Sequence, residues 1–116
     1  MEFLSSGGIM ELIYSMARIQ ELIENNEMLL LYFGSNNCNV CVAIKPKIEK
    51  LIKEYNKINC VQVDIDKSVE IAAQYNIFSI PAILLFIRGK ETIREVRFIS
   101  IEILSDKIAR YHDILN

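Results

Sequence analysis

The chain has 116 residues, of which 52% are apolar, and a formal net charge of −2. This length fits one domain, the apolar content is enough to bury a core, and the charge gives no reason to expect a nucleic-acid partner. No apolar run approaches the roughly 18 residues that cross a membrane. We therefore expect one folded domain over residues 1–116 that binds neither nucleic acid nor a membrane.

The first residues of the chain carry no apolar pattern, and Gly7-Gly8 predicts a flexible entry over residues 1–8. Glu2 stands where a secretion signal would carry a base, so we expect a cytoplasmic protein. Three cysteines in such a chain favour redox or metal chemistry over a disulfide scaffold.

The first predicted element lies in residues 9–14, where apolar and polar residues alternate only in part. They fit a short strand, or the first turns of a helix that continues to Asn25. Ser15 suits the N-cap of a helix, which favours a strand followed by a helix. The next run, Met28–Phe33, is continuously apolar and predicts a strand that is covered on both faces.

The motif Cys38-Asn39-Val40-Cys41 follows that strand and opens an amphipathic helix over residues 40–55. Two thiols at this spacing can close a disulfide with little backbone movement, or supply half of a metal site. At a strand-to-helix junction the first cysteine would face free N–H groups, which favours its thiolate. The residues alone leave redox and metal chemistry open. Pro46 predicts a kink in the helix.

A second buried strand is predicted over residues 60–65, where Cys60 is expected to be a core residue. Asp66 or Ser68 can cap a short helix that ends near Asn76. Asp64 and Asp66 share one face of the strand end and fit a capping or loop role. The lysines that follow the cysteine motif have helical spacing and predict a solvated face; they are at positions 45, 47, 50, 53 and 57.

The last third of the chain predicts a third apolar strand over residues 82–87, a hairpin turn at Arg88-Gly89-Lys90 and an edge strand over residues 92–98. Ser100 caps a final helix, on which His112 is expected to lie at the surface. The predicted order is β-α-β-α-β-α-β-β-α. It indicates an α/β fold with one central mixed sheet, made of parallel strands plus a C-terminal antiparallel hairpin, and helices on both faces.

Taken together, these features resemble the thioredoxin family over roughly residues 9–115. The resemblance rests on the cysteine motif after an apolar strand, Pro46 five residues beyond it, Val63-Asp64-Ile65-Asp66, Ile80-Pro81 before a strand, and the Arg88-Gly89-Lys90 hairpin. It implies a thioredoxin fold and thiol–disulfide exchange with protein disulfides, with no cofactor and no metal. The implied partners are protein disulfides and an upstream dithiol or flavin-dependent reductase, and the implied state is a monomer.

The resemblance also implies roles for individual residues. Cys38 would be the attacking thiol and Cys41 the resolving thiol of a redox-active disulfide. Ile80 and Pro81 would form a cis-proline loop that pairs with the substrate backbone. Without the cysteine motif, the residues would favour a proline that merely starts a strand.

The sequence departs from the family pattern in and around the motif. Within the motif, Asn37, Asn39 and Val40 stand where the family has Trp, Gly and Pro. Around it, Tyr32 replaces a buried acid on the strand, Gln62 replaces a lysine, and Val42 replaces a basic residue. That acid is assigned a proton-transfer role towards the resolving cysteine, and a phenol with a pKa of about 10 is a poor base at neutral pH. Asn39 and Val40 are expected to shift the redox potential. The resolving step is expected to be slower or to rely on water.

The alternative function is a non-enzymatic binding module on the same fold, with a cysteine pair that is structural or contributes to a metal site. Zinc normally takes four ligands, so a metal site would require a dimer or Cys60.

Overall fold

The computed structural model describes residues 10–115, and the expected flexible entry over residues 1–8 lies outside this range. Within it the element order is the predicted β-α-β-α-β-α-β-β-α. The strands are β1 (Glu11–Leu12), β2 (Met28–Gly34), β3 (Ile58–Asp64), β4 (Ala82–Ile87) and β5 (Lys90–Val96). The helices are α1 (Met16–Asn25), α2 (Asn39–Ile52), α3 (Val69–Gln74) and α4 (Ile101–Leu115).

The region before α1 is a strand and not an extension of the helix. β1 pairs in parallel with Val61 and Gln62 of β3. Ser15 ends the extended segment because its Oγ accepts a hydrogen bond from the Arg18 N–H at 3.3 Å, which caps α1.

The five strands form one mixed sheet in the order β1-β3-β2-β4-β5. β1, β3 and β2 are parallel, whereas β4 is antiparallel to β2 as well as to β5. The sheet therefore contains two antiparallel strand pairs, β2–β4 and β4–β5, whereas only the second was predicted. A helix of the length of α3 spans only about 9 Å, against roughly 23 Å for β3. The chain therefore does not return to the far end of the sheet, and Ala82 starts β4 beside Phe33 at the end of β2.

Helices cover both faces of the sheet, as predicted. One core layer joins β2 and β3 to α2 and α4, and the other joins the sheet to α1 and α3. Every residue of β2 is buried, in agreement with the apolar run that predicted it. Side chains alternate between the layers, so Leu30 and Tyr32 face α2 while Leu29, Leu31 and Phe33 face α1.

The hairpin differs in detail from its prediction. Arg88 and Gly89 form the turn with φ values of 50° and 85°, and Lys90 already belongs to β5. The strand ends at Val96, two residues before Phe98, which is 83% exposed. It ends there because Arg97 has a φ of 73°, outside the extended region.

The two long helices also carry small differences. α2 ends at Ile52, three residues earlier than predicted, and includes Pro46. The rings of His112 and Tyr55 lie 4.8 Å apart edge to face, and the histidine is half-buried, less exposed than the predicted surface position implies. No helix within residues 10–115 is both long and apolar enough to span a membrane.

Candidate active site

The two cysteines of the motif lie where β2 ends and α2 begins. Cys38 is the N-cap of α2, and Cys41 lies in its first turn. The two residues form a disulfide, with Cα atoms 5.2 Å apart. Cys38 Sγ accepts a hydrogen bond from the Cys41 N–H at 3.2 Å, in the way that an N-cap side chain does. The first sulfur is therefore held against the positive end of the helix.

The two sulfur-bearing side chains differ in their access to solvent. Cys38 is half-buried, whereas Cys41 is only 2% exposed and packs in the core layer beneath α2. A large molecule can therefore reach Cys38 but not Cys41.

The loop before the motif is tied to the end of β3. Ser35 Oγ donates a hydrogen bond to the Asp66 carboxylate and accepts one from the Asn37 N–H at 3.0 Å. Asn37 Nδ2 also donates to Asp66, at 3.3 Å. Sequence reasoning gave Asp66 only a capping or loop role. A signal was present, because Asp66 follows β3 and adjacent parallel strands end at the same edge of a sheet.

Ile80 and Pro81 lie at this same edge. Pro81 directly precedes Ala82, which pairs with Phe33 of β2, and the Ile80–Pro81 peptide bond is cis. The Pro81 carbonyl accepts a hydrogen bond from the Arg97 N–H at 2.8 Å. Ile80 is half-buried and packs against both core layers.

The residues between the cysteines form the first turn of α2. Asn39 and Val40 are both exposed, and Val40 keeps 58% of its surface accessible. They present one amide and one apolar side chain beside the half-buried Cys38.

The Tyr32 side chain contacts the backbone of the second cysteine. The phenol donates a hydrogen bond to the Cys41 carbonyl at 2.8 Å. Burial raises the pKa of Tyr32 to about 12, and electrostatic interaction with Cys60 and Glu49 acts in the same direction. The phenol therefore stays protonated at neutral pH and cannot act as a base there. Gly34 makes room for the ring, because a Cβ at this position would lie 2.9 Å from its Oη.

A small cavity adjoins Cys41. It has a volume of about 90 Å³, we call it the Cys41 cavity, and its lining residues are Tyr32, Ser35, Asn36, Cys41, Val42, Lys45 and Gln62. Gln62 is 5% exposed, and its Oε1 has no hydrogen-bond partner within the described part of the chain. Lys45 is half-buried, so it departs from the solvated face predicted for the lysines. Its position four residues after Cys41 could have indicated a shared helix face.

Cys60 lies in β3 and is an unpaired, buried thiol, which confirms its prediction as a core residue. Burial raises the pKa of this thiol; negative charge at Glu49 adds to the effect and Lys45 opposes it. It therefore stays protonated and unreactive. Residues 10–115 contain no group of three or more His, Cys, Asp or Glu side chains that could hold a metal ion.

Comparisons with known proteins agree with this geometry. The thioredoxin family model matches residues 12–110. A thioredoxin-like protein of Bacillus subtilis, YdfQ, is 29% identical over 86% of this chain and 89% of its own length. A thioredoxin of Mycoplasma pneumoniae is 31% identical over 74% of this chain and 84% of its own.

Solved structures show the same likeness. A mutant thioredoxin of Halobacterium salinarum superposes with a TM-score of 0.83 over 96% of each chain, at 20% identity. Thioredoxin 1 of Thermosipho africanus gives a TM-score of 0.71 at 30% identity, over 76% of this chain and 98% of its own. With the matched family model, the fold and the paired cysteines, the protein is a member of the thioredoxin family.

Proposed function

We propose that the protein is a thiol–disulfide oxidoreductase that reduces disulfides in other proteins through Cys38 and Cys41. The observation that carries this proposal is the unequal exposure of a bonded pair. Cys38 is half-buried at a helix N-cap, and Cys41 is 2% exposed beside it. A nucleophile must meet its substrate, whereas a resolving thiol needs only to reach the nucleophile.

The exchange proceeds in two balanced steps. The Cys38 thiolate attacks one sulfur of the substrate disulfide, a mixed disulfide forms, and the other substrate sulfur leaves as a thiolate. Cys41 then loses its proton and attacks Cys38 Sγ, which releases the second substrate thiolate. The substrate gains two electrons, and the Cys38–Cys41 pair becomes the disulfide.

The surroundings support further roles. Ile80 and Pro81 lie at the sheet edge where the motif begins, which suits contact with the substrate backbone beside Cys38. Asn39 and Val40 are exposed in the first turn and would adjust both substrate contact and redox potential. An upstream dithiol or flavin-dependent reductase would restore the dithiol. We also propose that the protein is a monomer and that it acts in the cytoplasm, which is a reducing compartment.

The experiment is the reduction of insulin by dithiothreitol with catalytic amounts of protein. Wild type is expected to accelerate the reaction, and Cys38→Ser to return it to the rate of dithiothreitol alone. Cys60→Ala is the matched control, since it removes a buried, unpaired thiol and is expected to retain activity. If wild type is no faster than Cys38→Ser, the protein is not an oxidoreductase. One zinc or iron per dimer would then favour a metal-binding module.

The ionisation of the first thiol provides a second check. The alkylation rate of reduced protein against pH should have a midpoint well below about 8.5, because a helix N-terminus stabilises a thiolate at its N-cap. A midpoint at the value of an ordinary thiol would contradict this electrostatic account.

A further inference from the structure

Gln62 holds a buried amide oxygen that the fold leaves unpaired. Its Oε1 is inaccessible to solvent and has no partner within residues 10–115, while nearly all buried polar atoms in proteins are hydrogen-bonded. Leaving such a group unpaired is destabilising, and a hydrogen-bonded water would relieve this cost. Gln62 lines the same cavity as Cys41.

The Cys41 cavity is large and polar enough for water. Its volume of about 90 Å³ exceeds the roughly 10–15 Å³ that one water requires. A water there can donate to Gln62 Oε1 and to the Tyr32 phenol oxygen. It can accept from the Lys45 ammonium and from the Cys41 thiol. These four groups meet the two to four polar partners that a buried water needs.

We propose that Gln62 is a positioning residue for the second step of the exchange: it holds a water in the Cys41 cavity, and this water takes the Cys41 proton as the sulfur attacks. This inference rests on the proposed oxidoreductase function. In the step, the Cys41 S–H bond breaks and the S–S bond between Cys41 and Cys38 forms. The S–S bond between Cys38 and the substrate breaks, and the substrate sulfur leaves with its electron pair. Asn36 and Val42 are exposed at the mouth of the cavity, so the proton passes through the water to bulk solvent.

The charges around the cavity suit this role. The described lining residues include one cation, Lys45, and no carboxylate. A nearby cation favours the negative charge that develops on the Cys41 sulfur. The Tyr32 phenol cannot replace the water as acceptor, because its proton is retained and directed to the Cys41 carbonyl.

Other titratable groups near this site have different partners or lie deeper. Cys60 and Asp64 lie on the same face of β3 as Gln62. Cys60 is buried, and Asp64 Oδ1 accepts from the Asp66 N–H at 2.9 Å. Asp66 is bonded to Ser35, and Glu49 on α2 accepts from the Met10 N–H at 3.1 Å.

The test follows the two steps separately, in a Cys60→Ala background. Reduced protein is mixed with 5,5′-dithiobis(2-nitrobenzoate) in a stopped-flow instrument. One nitrothiobenzoate is released when Cys38 attacks, and a second when Cys41 resolves the mixed disulfide. Gln62→Leu is expected to slow the second release by about tenfold or more, and to change the first by no more than about twofold. Gln20→Leu, at an exposed position of α1, is the matched control and should change neither.

Gln62→Glu separates a hydrogen-bonding role from a packing role. The carboxylate keeps an oxygen at the same position, so the second release should stay within about twofold of wild type at high pH. The ratio of its second-release rate to that of Gln62→Leu at the same pH should rise with pH as the new acid titrates, a difference that packing alone would not produce.

Three outcomes would overturn the proposal. These are an unchanged second release in Gln62→Leu, equal slowing of both releases, and a Gln62→Glu variant as slow as Gln62→Leu at every pH. Failure of the proposed function is recognised separately in the insulin assay, where wild type would then be no faster than Cys38→Ser.

Discussion

Gly34 is the residue on which the position of Tyr32 depends, and Gly34→Ala tests this dependence. An alanine Cβ at Gly34 would lie 2.9 Å from the Cε2, Cζ and Oη atoms of Tyr32. Tyr32 is fully buried and its phenol is hydrogen-bonded to Cys41, so the ring cannot move aside without disturbing the core. The methyl group and the phenol compete for one space.

The expected change in the free energy of unfolding has three parts. Overpacking a filled core costs about 1–3 kcal/mol. Loss of the hydrogen bond from Tyr32 to Cys41 adds about 1 kcal/mol. Alanine restricts the unfolded chain more than glycine does, which returns about 0.4–1 kcal/mol. Gly34→Ala should therefore destabilise the protein by about 1–3.6 kcal/mol, a substantial part of the 5–15 kcal/mol that is typical of folded proteins.

Urea denaturation of four proteins measures the effect: wild type, Gly34→Ala, Tyr32→Leu and the double variant. In the Tyr32→Leu background the ring is gone, so the alanine should be neutral or slightly stabilising. The coupling between the two positions then reports the clash alone. A Gly34→Ala single variant as stable as wild type, or an equal cost in both backgrounds, would refute the steric explanation.

Two further predictions concern the same core and the hairpin. Tyr32→Phe should cost about 1 kcal/mol of stability at neutral pH through the lost hydrogen bond. Wild type should lose more stability than Tyr32→Phe between about pH 10 and pH 12, because the unfolded phenol ionises first while burial keeps the folded one protonated; parallel stability curves over this range would contradict the raised pKa. Gly89→Ala should cost about 1–2 kcal/mol because Gly89 has a φ of 85°, although nothing lies within 4 Å of the added Cβ. A thermal unfolding midpoint equal to that of wild type would show that the turn relaxes.

Local patterns predicted the features that depend on neighbouring residues in the chain. The apolar run before the cysteines, the Ser15 cap and the helical spacing after Ser100 each specify an element without reference to the rest of the fold. The cysteine motif could be placed at the start of α2 for the same reason.

Features that depend on contacts between distant segments could not be predicted in this way. The fit of Tyr32 against Gly34 depends on a ring conformation that the residue types do not specify. The bonds from Asp66 to the cysteine loop and the meeting of Gln62 with Lys45 require the order of strands in the sheet. The end of β5 follows from the backbone of Arg97, an arginine in a conformation that favours glycine.

The burial of β2 has a consequence for the redox cycle. β2 lies between β3 and β4, hydrogen-bonded on both sides and buried throughout. Backbone amides in such a strand are expected to exchange with deuterium mainly through global unfolding. The strand that leads into the cysteine loop is therefore among the most slowly exchanging parts of the molecule. We therefore expect β2 to keep its pairing, and with it the support of Cys38, when the Cys38–Cys41 disulfide opens or closes.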